Sequence, residues 1–454
     1  MIHPATLLFK FDIHEGAVLA EKSSNCDSLL NGRQIASMKL NCFPESIISL
    51  QQGVHTFCFS IPGTESHSDN QISNRRNSSR IFCYTAFVSV KNMKCSRNFE
   101  QFSIVIATEL SYYPLFIKLL SSIKSLPVLD PHDAFILLTN FVEKWSRHLP
   151  FSFKSKFELP LFDGVVPINP KPKLTHLLST QSRFYCANLN FIGSDLITDI
   201  ETDFDGALEL WESAITDQPV LIEACTPQKA TNAAFAIASL TYPEESPIVT
   251  PYISVIDQRF AALSERPKGI IGTSNPLAEN LIKKQTKLVK IGFDLNKPSQ
   301  TFNSAQIRYK LYQNTKKLRK AITEAVDQQL AGDMLAFLLG NVNVNIVTDK
   351  LIANEVLSAS PVVEFAAKVL KSKLFRRICR ERLALEENIN RFLTLDVGDL
   401  LRPECARKVC VGLIHVMAGQ TMSKDLERSL KKKLRSLASI FHSDQSSSSS
   451  STSD

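Results

Sequence analysis

The 454-residue sequence predicts a multidomain protein that joins an α+β region, a doubly wound α/β region and an all-helical region. Three observations predict it. β-rich runs crowd the first third and give way to two helical patterns. Strands and helices then alternate at short intervals. Beyond residue 303 only helical periodicity remains. At roughly 150 residues per domain, the length allows several such regions, each able to bury its own core.

In the first region, residues 1–149, Thr6–Phe11 is β-rich and Glu15-Gly16 supplies a turn before Val18-Leu19 resumes the apolar pattern. Thr56–Ile61 and Arg80–Val90 alternate, and Phe102–Thr108 is a continuous apolar run that predicts a central strand. Helices follow near 112–124 and 131–148, the second with Phe135, Leu138, Val142 and Trp145 at helical spacing. Residues 150–181 contain five prolines without sustained periodicity and predict an extended linker.

The central region, 182–294, alternates. A helix at 205–216 carries Leu208, Trp211 and Ile215 on one face, and Trp211 reads as a packing residue before a partner contact. Strand 219–223 precedes a helix from Pro227 to Leu240, capped by Thr226 with Pro227 in its first turn. Strand 248–256, a short helix at 258–264, strand 268–273, helix 276–284 and strand 287–291 complete a mostly parallel, doubly wound sheet. In the third region, 304–442, Ile307, Leu311, Leu318, Ile322, Val326 and Leu330 form one stripe. Val362, Phe365, Val369 and Ile378 form another, and Leu426, Leu430, Leu434, Leu437 and Phe441 a third, as in a helical bundle. Residues 443–454 are nearly all Ser and predict a disordered tail.

Composition narrows the function classes. Apolar residues make up 44% and charged residues 21%, ordinary globular values. No run reaches the roughly 20 apolar residues of a membrane-spanning helix, and Met1–Asp12 lacks the basic start of a signal peptide. These features read as a soluble, intracellular protein. Its ten cysteines include no C-x-x-C and sit mostly among apolar neighbours, so they read as reduced, buried thiols and no metal site is expected. The net charge of +7 is uneven: residues 1–303 hold 28 basic and 29 acidic side chains, residues 304–442 hold 24 and 14. Such a basic third either meets phosphates or an anionic membrane surface or, more commonly, is the solvated side of amphipathic helices. Nucleic acid is not expected, because no basic stretch is interleaved with stacking aromatics.

Catalytic signatures are missing. Neither G-x-G-x-x-G nor G-x-x-x-x-G-K-[ST] occurs, and Gly269–Pro276, the nearest imitation, reads as a strand running into a capped helix. H-E-x-x-H and G-x-S-x-G are absent, and the nine histidines, His415 among them, are isolated. No catalytic residues, cofactor or metal are assigned. The chain reads as an interaction or regulatory protein.

Several stretches resemble the DENN-domain family, and in particular its type-six members. Phe43-Pro44-Glu45-Ser46 followed by Phe57-Cys58-Phe59 is similar to an early F-P-[DE]-S … F-x-F pattern. Phe99–Ile106 stands where that group has Y-x-Q-K-S-[LV]-V-L. Leu210-Trp211-Glu212 and Pro219–Ile222 are similar to its L-W-E and P-L-L-V. Pro251-Tyr252 with Asp257, and Gly272-Thr273-Ser274-Asn275-Pro276, are similar to P-Y-x(4)-D and G-V-T-N-P. The pieces are short but collinear. The chain departs from the pattern at Ser96-Arg97-Asn98-Phe99, where the family has Lys-Arg-Gly-Tyr, at Phe102 and at Leu277-Ala278.

The resemblance implies a longin-like N-terminal module, a Rossmann-like central lobe and a helical C-terminal part. It implies a guanine-nucleotide exchange factor for a Rab-type small GTPase, a factor without covalent chemistry, cytoplasmic and recruited peripherally to endosomal or other vesicle membranes. Two other readings stay open: a tether that binds the GTPase without exchange, and a GTPase-activating relative that would use Arg97. The candidate GTPase contacts are Arg97, Asn98, Tyr252, Asp257, Asn275 and Pro276. Asp257 and Asn275 also read simply as helix caps.

Overall fold

In the computed structural model the described residues are 4–45, 53–63, 80–93, 99–110, 112–122, 130–146, 157–161, 164–168, 200–244, 247–281, 286–293, 304–338, 340–394 and 427–436. The described residues divide into two compact units, the first running to Tyr312 and the second from Gln313. Both of the first two predicted regions lie in the first unit.

The first unit opens with strands β1 (Ala5–Asp12) and β2 (Gly16–Lys22), short helix α1 (Cys26–Leu29) and helix α2 (Gly32–Asn41). Strands β3 (Gly53–Pro62), β4 (Arg80–Lys91) and β5 (Phe99–Thr108) follow. They pair antiparallel in the order β2-β1-β5-β4-β3, which puts the apolar Phe102–Thr108 run at the centre. Helices α3 (Tyr113–Ser121) and α4 (Pro131–Ser146) pack on this sheet, and Phe135, Leu138, Val142 and Trp145 are buried at the expected spacing.

Helices α1 and α2 fall outside the sequence expectation. An Asn31–Gln34 capping box starts α2, but only Gln34, Met38 and Asn41 are buried, so no apolar stripe announces it. The expected linker also differs. It contains an antiparallel hairpin of β6 (Phe157–Leu161) and β7 (Gly164–Ile168), anchored where the buried Trp145 Nε1 donates to Pro160 O at 2.8 Å. Proline is tolerated in an isolated two-stranded ribbon because each strand has an unpaired edge.

The central part contains α5 (Phe204–Ile215), β8 (Val220–Ala224), α6 (Pro227–Ser239), β9 (Val249–Thr250), α7 (Gln258–Glu265), β10 (Ile270–Thr273), α8 (Ala278–Leu281) and β11 (Lys287–Ile291). The strands are parallel, ordered β11-β8-β10-β9. Asp203 caps α5 and Thr226 caps α6 through side-chain oxygens, and Trp211 is fully buried. Helix α6 lies against β8 and β10 of this sheet and also against β3 of the first. Its Ala230, Ala233, Ala234, Ala236 and Ala238 are all buried, and small side chains around the axis let both sheets approach one helix.

Helix α9 (Ser304–Gly332) leads into the second unit, followed by α10 (Met334–Leu338), α11 (Val344–Ala353), α12 (Val362–Lys371), α13 (Lys373–Leu383), α14 (Glu386–Thr394) and a helical stretch at 427–436. In this unit Leu318, Ile322, Val326, Leu330, Phe365, Val369, Ile378 and Leu430 are buried, as their periodicity requires. Leu426, Leu437, Phe441, His415 and the 443–454 tail lie outside the described residues.

Candidate functional site

The first unit is held together by a polar seam between its antiparallel sheet layer and its parallel one. Two carboxylates organise it. Glu45, just beyond α2, accepts the Ser254 hydroxyl, the backbone N–H of Val255 at 3.2 Å and of Ile256 at 3.3 Å, and Asn275 Nδ2 at 3.4 Å. All these donors are neutral, so one carboxylate ties down two turns, 254–256 and 275–277, that follow different strands. Asn275 Oδ1 accepts the Leu277 N–H at 2.9 Å, which caps the start of α8.

Asp257 is the second hub, 3% exposed. It caps α7 by accepting the Arg259 N–H at 2.9 Å and accepts Asn41 Nδ2 at 2.6 Å and Ser37 Oγ at 3.3 Å from α2. The Arg259 guanidinium pairs with it and reaches across to donate to Ser60 O on β3 at 2.6 Å. Burial pushes the Asp257 carboxyl upward, but Arg259, through its side chain and backbone N–H, together with Asn41, outweighs this and leaves it below the ordinary aspartate range. Asn41 Oδ1 completes the knot by accepting the Ser254 N–H at 2.9 Å.

Apolar and neutral contacts extend the seam. Tyr252 is fully buried with its ring edge-on to Phe57, centroids 5.4 Å apart, and burial raises its phenol well above the usual range. Thr231 on α6 donates to Cys58 O at 3.1 Å and accepts from Cys58 N at 3.3 Å on β3. Arg80 Nη1 donates to Val249 O at 2.7 Å, and Tyr113 bonds Asn232 while stacking on Phe235 at 4.3 Å. Within the parallel layer Gly272 permits a close approach: a Cβ there would sit 2.1 Å from Pro251 O.

The seam is buried, but its rim is not. Ile256 is 66% exposed and Leu277 61% exposed, and each lies on one of the two turns that Glu45 fixes. Pro276 is exposed beside Leu277, and Asn275 is half-buried. This arrangement puts two exposed apolar side chains on turns bound to one carboxylate. No cluster of three or more potential metal ligands occurs among the described residues. No described helix is long and apolar enough to cross a membrane.

The structure therefore sorts the predicted contacts. It brings Tyr252, Asp257 and Asn275 together, but Tyr252 and Asp257 are too buried to offer surface and act inside the seam. Asn275 and Pro276 stand at its rim. Arg97 and Asn98 lie outside the described residues. Sequence reasoning missed Asn41, Ser37, Thr231, Ser254 and Arg259, none of which sits in a chemical motif. Glu45 had a signal in the Phe43–Ser46 stretch, although its hydrogen-bond partners are more than 200 residues away.

No protein-family model matches the chain. It is 22% identical over 249 residues to Protein DENND6A of Gallus gallus, covering 52% of this chain and 42% of that protein. It is 22% identical over 230 residues to Protein DENND6B of Mus musculus, covering 46% of this chain and 38% of that one. These homologues place the similarity with type-six DENN-domain proteins. The matched stretches span about two fifths of the DENND6 proteins' own length, so the activity of a whole DENND6 protein does not transfer directly to this chain.

Proposed function

We propose that this protein is a guanine-nucleotide exchange factor for a Rab-type small GTPase, and that the GTPase docks on the rim of the seam. One observation carries the proposal. The segments similar to DENN-domain proteins, Phe43–Glu45, Phe57–Phe59, Pro251–Asp257 and Gly272–Pro276, are scattered along the chain yet meet at one place. The meeting place itself is buried, but two of these segments carry the exposed Ile256 and Leu277 out to its rim on turns that Glu45 ties together. A partner resting on that rim would meet a base held from behind.

On this reading the antiparallel layer corresponds to a longin-like module and the parallel layer to a Rossmann-like lobe, with the GTPase resting across both. Exchange needs no covalent chemistry. A factor that binds the nucleotide-free GTPase more tightly than the loaded form must, by linkage, weaken nucleotide binding by the same factor. It does so by holding the switch segments away from the phosphates and Mg²⁺. A rigid apolar edge suits that task, because a compliant one would follow the switches instead of displacing them. Glu45 and Asp257 supply the rigidity by pinning the turns from behind.

The test is a binding panel of nucleotide-free and nucleotide-loaded Rab-type GTPases against the full chain. Exchange predicts at least about tenfold preference for the nucleotide-free form of one member, a coupling of roughly 1.4 kcal/mol. Equal affinity for both forms identifies a tether, and no binding to any member refutes the reading.

A further inference from the structure

The two layers of the first unit also meet at an arginine that gains no counter-charge from the seam. Arg80 is the first residue of β4, paired with Pro62 at the end of the β3–β4 ladder. Its side chain is half-buried and crosses to the parallel layer, where Nη1 donates to Val249 O at 2.7 Å. That carbonyl is neutral. A guanidinium carries five N–H donors in a rigid fork, so one backbone oxygen engages only part of it.

The carboxylates of the seam are committed to other groups. Asp257 Oδ1 accepts from the Arg259 backbone N–H at 2.9 Å and from Arg259 Nε at 3.0 Å. Its Oδ2 accepts from Arg259 Nε at 3.0 Å, Asn41 Nδ2 at 2.6 Å and Ser37 Oγ at 3.3 Å. Glu45 is taken by the turns at 254–256 and 275–277. Among the described residues no carboxylate pairs with Arg80, and the charge it feels is another cation. Burial first, and then Arg259, hold the Arg80 guanidinium below its ordinary pKa range. Arg259 is itself fixed by Asp257 and by Ser60 O at 2.6 Å, so it stays in place beside Arg80. Two guanidiniums thus share one aspartate, and a positive charge remains where water is only partly available. A desolvated charge is ordinarily paired.

We propose that Arg80, backed by Arg259, is a binding site for an oxyanion, a phosphate or carboxylate group taken by the edge of the Arg80 guanidinium that Val249 does not use. The chemistry selects this class. A planar fork of N–H donors matches two oxygens of one phosphate or carboxylate. A neutral acceptor would fill the hydrogen bonds and leave the charge, and chloride would meet the charge without filling the fork. The inference is independent of GTPase exchange.

The experiment is urea unfolding of the full chain at pH 7 in chloride, acetate or inorganic phosphate at matched ionic strength, followed through Trp145 and Trp211 of the first unit. An anion that binds only the folded form raises the folding equilibrium constant by about tenfold once it reaches ten times its dissociation constant. The natural chain should show such a saturable gain over chloride. R80Q keeps an N–H donor for Val249 O without the charge. It should hold its midpoint in chloride and lose the saturable gain, keeping only the general stabilisation by phosphate that both chains share. R80K keeps the charge without the fork and should bind the anion about tenfold more weakly; it decides the matter alone if R80Q is too unstable to measure. Acetate separates the sources. A gain matching that in phosphate assigns the site to a carboxylate, and a gain confined to phosphate assigns it to a phosphate group. No gain over chloride in either anion, or a gain that R80Q shows in full, overturns the proposal. R80K binding as tightly as the natural chain also overturns it, because the fork would then have no part.

Discussion

Replacing Asn275 by Asp tests the seam directly. The aspartate keeps the oxygen that caps α8 at Leu277 but turns the group facing Glu45 from a donor into a second carboxylate. At 3.4 Å, two like charges repel by about 1 kcal/mol in a water-like dielectric and about 5 kcal/mol at an effective dielectric of 20. Both side chains are half-buried, so about 2–3 kcal/mol is expected, including the lost hydrogen bond. Repulsion of that size raises the pKa of one member of the pair by roughly 1–2 units in the folded state only. The destabilisation is therefore full above the raised value and fades as pH falls through it toward the unfolded-state values near 4.

Urea unfolding followed by tryptophan fluorescence reads this cleanly, since the protein's two tryptophans, Trp145 and Trp211, are both fully buried in the first unit. Asn275→Asp should lose about 2–3 kcal/mol near pH 7 and less than half of that near pH 4.5. In a Glu45→Gln background most of the loss should vanish. A loss that is the same at both pH values, and the same without the Glu45 charge, would refute the reasoning.

Other expectations follow from the same contacts. Asp257 holds a depressed carboxyl, so its contribution is present above the unfolded value of 3.8 and is lost as pH falls through the folded one. Asp257→Asn should lower stability by about 2–4 kcal/mol near pH 7 and flatten the acid limb of a stability–pH curve, whereas an unchanged limb would remove Asp257 from it. Thr231→Val should cost about 1–3 kcal/mol in urea unfolding by orphaning the Cys58 backbone on β3, and a change below a few tenths would mean the two layers do not depend on that bridge. Trp211→Ala should cost roughly 3–5 kcal/mol as a core deletion. An unchanged thermal midpoint with lost GTPase binding would instead make Trp211 a contact residue.

Much of the scaffold was legible because it obeys periodicity. The apolar 102–108 run became the central strand, and the stripe of α4 and the Thr226-Pro227 start of α6 stand where local rules put them. The hairpin β6–β7 escaped because its prolines mask a strand that is tolerated only at unpaired edges. Helix α2 escaped because two of the three residues it buries, Gln34 and Asn41, are polar and only Met38 is apolar. That polarity has a reason: Asn41 is spent on Asp257 and Ser254, partners over 200 residues away. Caps at Asp257 and Asn275 could be read from the chain, but not that both face α2 or the turn after it, since local sequence carries no record of which loops meet. Ile256 and Leu277 likewise carried no signal, because an exposed apolar residue is ordinary until its neighbours are known.

The most direct test of the proposed function is the rate of GDP release from Rab-type GTPases loaded with a fluorescent nucleotide, with the natural chain and with Ile256→Asp/Leu277→Asp. Both residues are exposed, so the variant should keep its urea midpoint. The account predicts accelerated release from at least one GTPase by the natural chain and at least about tenfold less acceleration by the variant. Release that the natural chain leaves at its intrinsic rate for every GTPase, or that the variant accelerates as well as the natural chain, would contradict it.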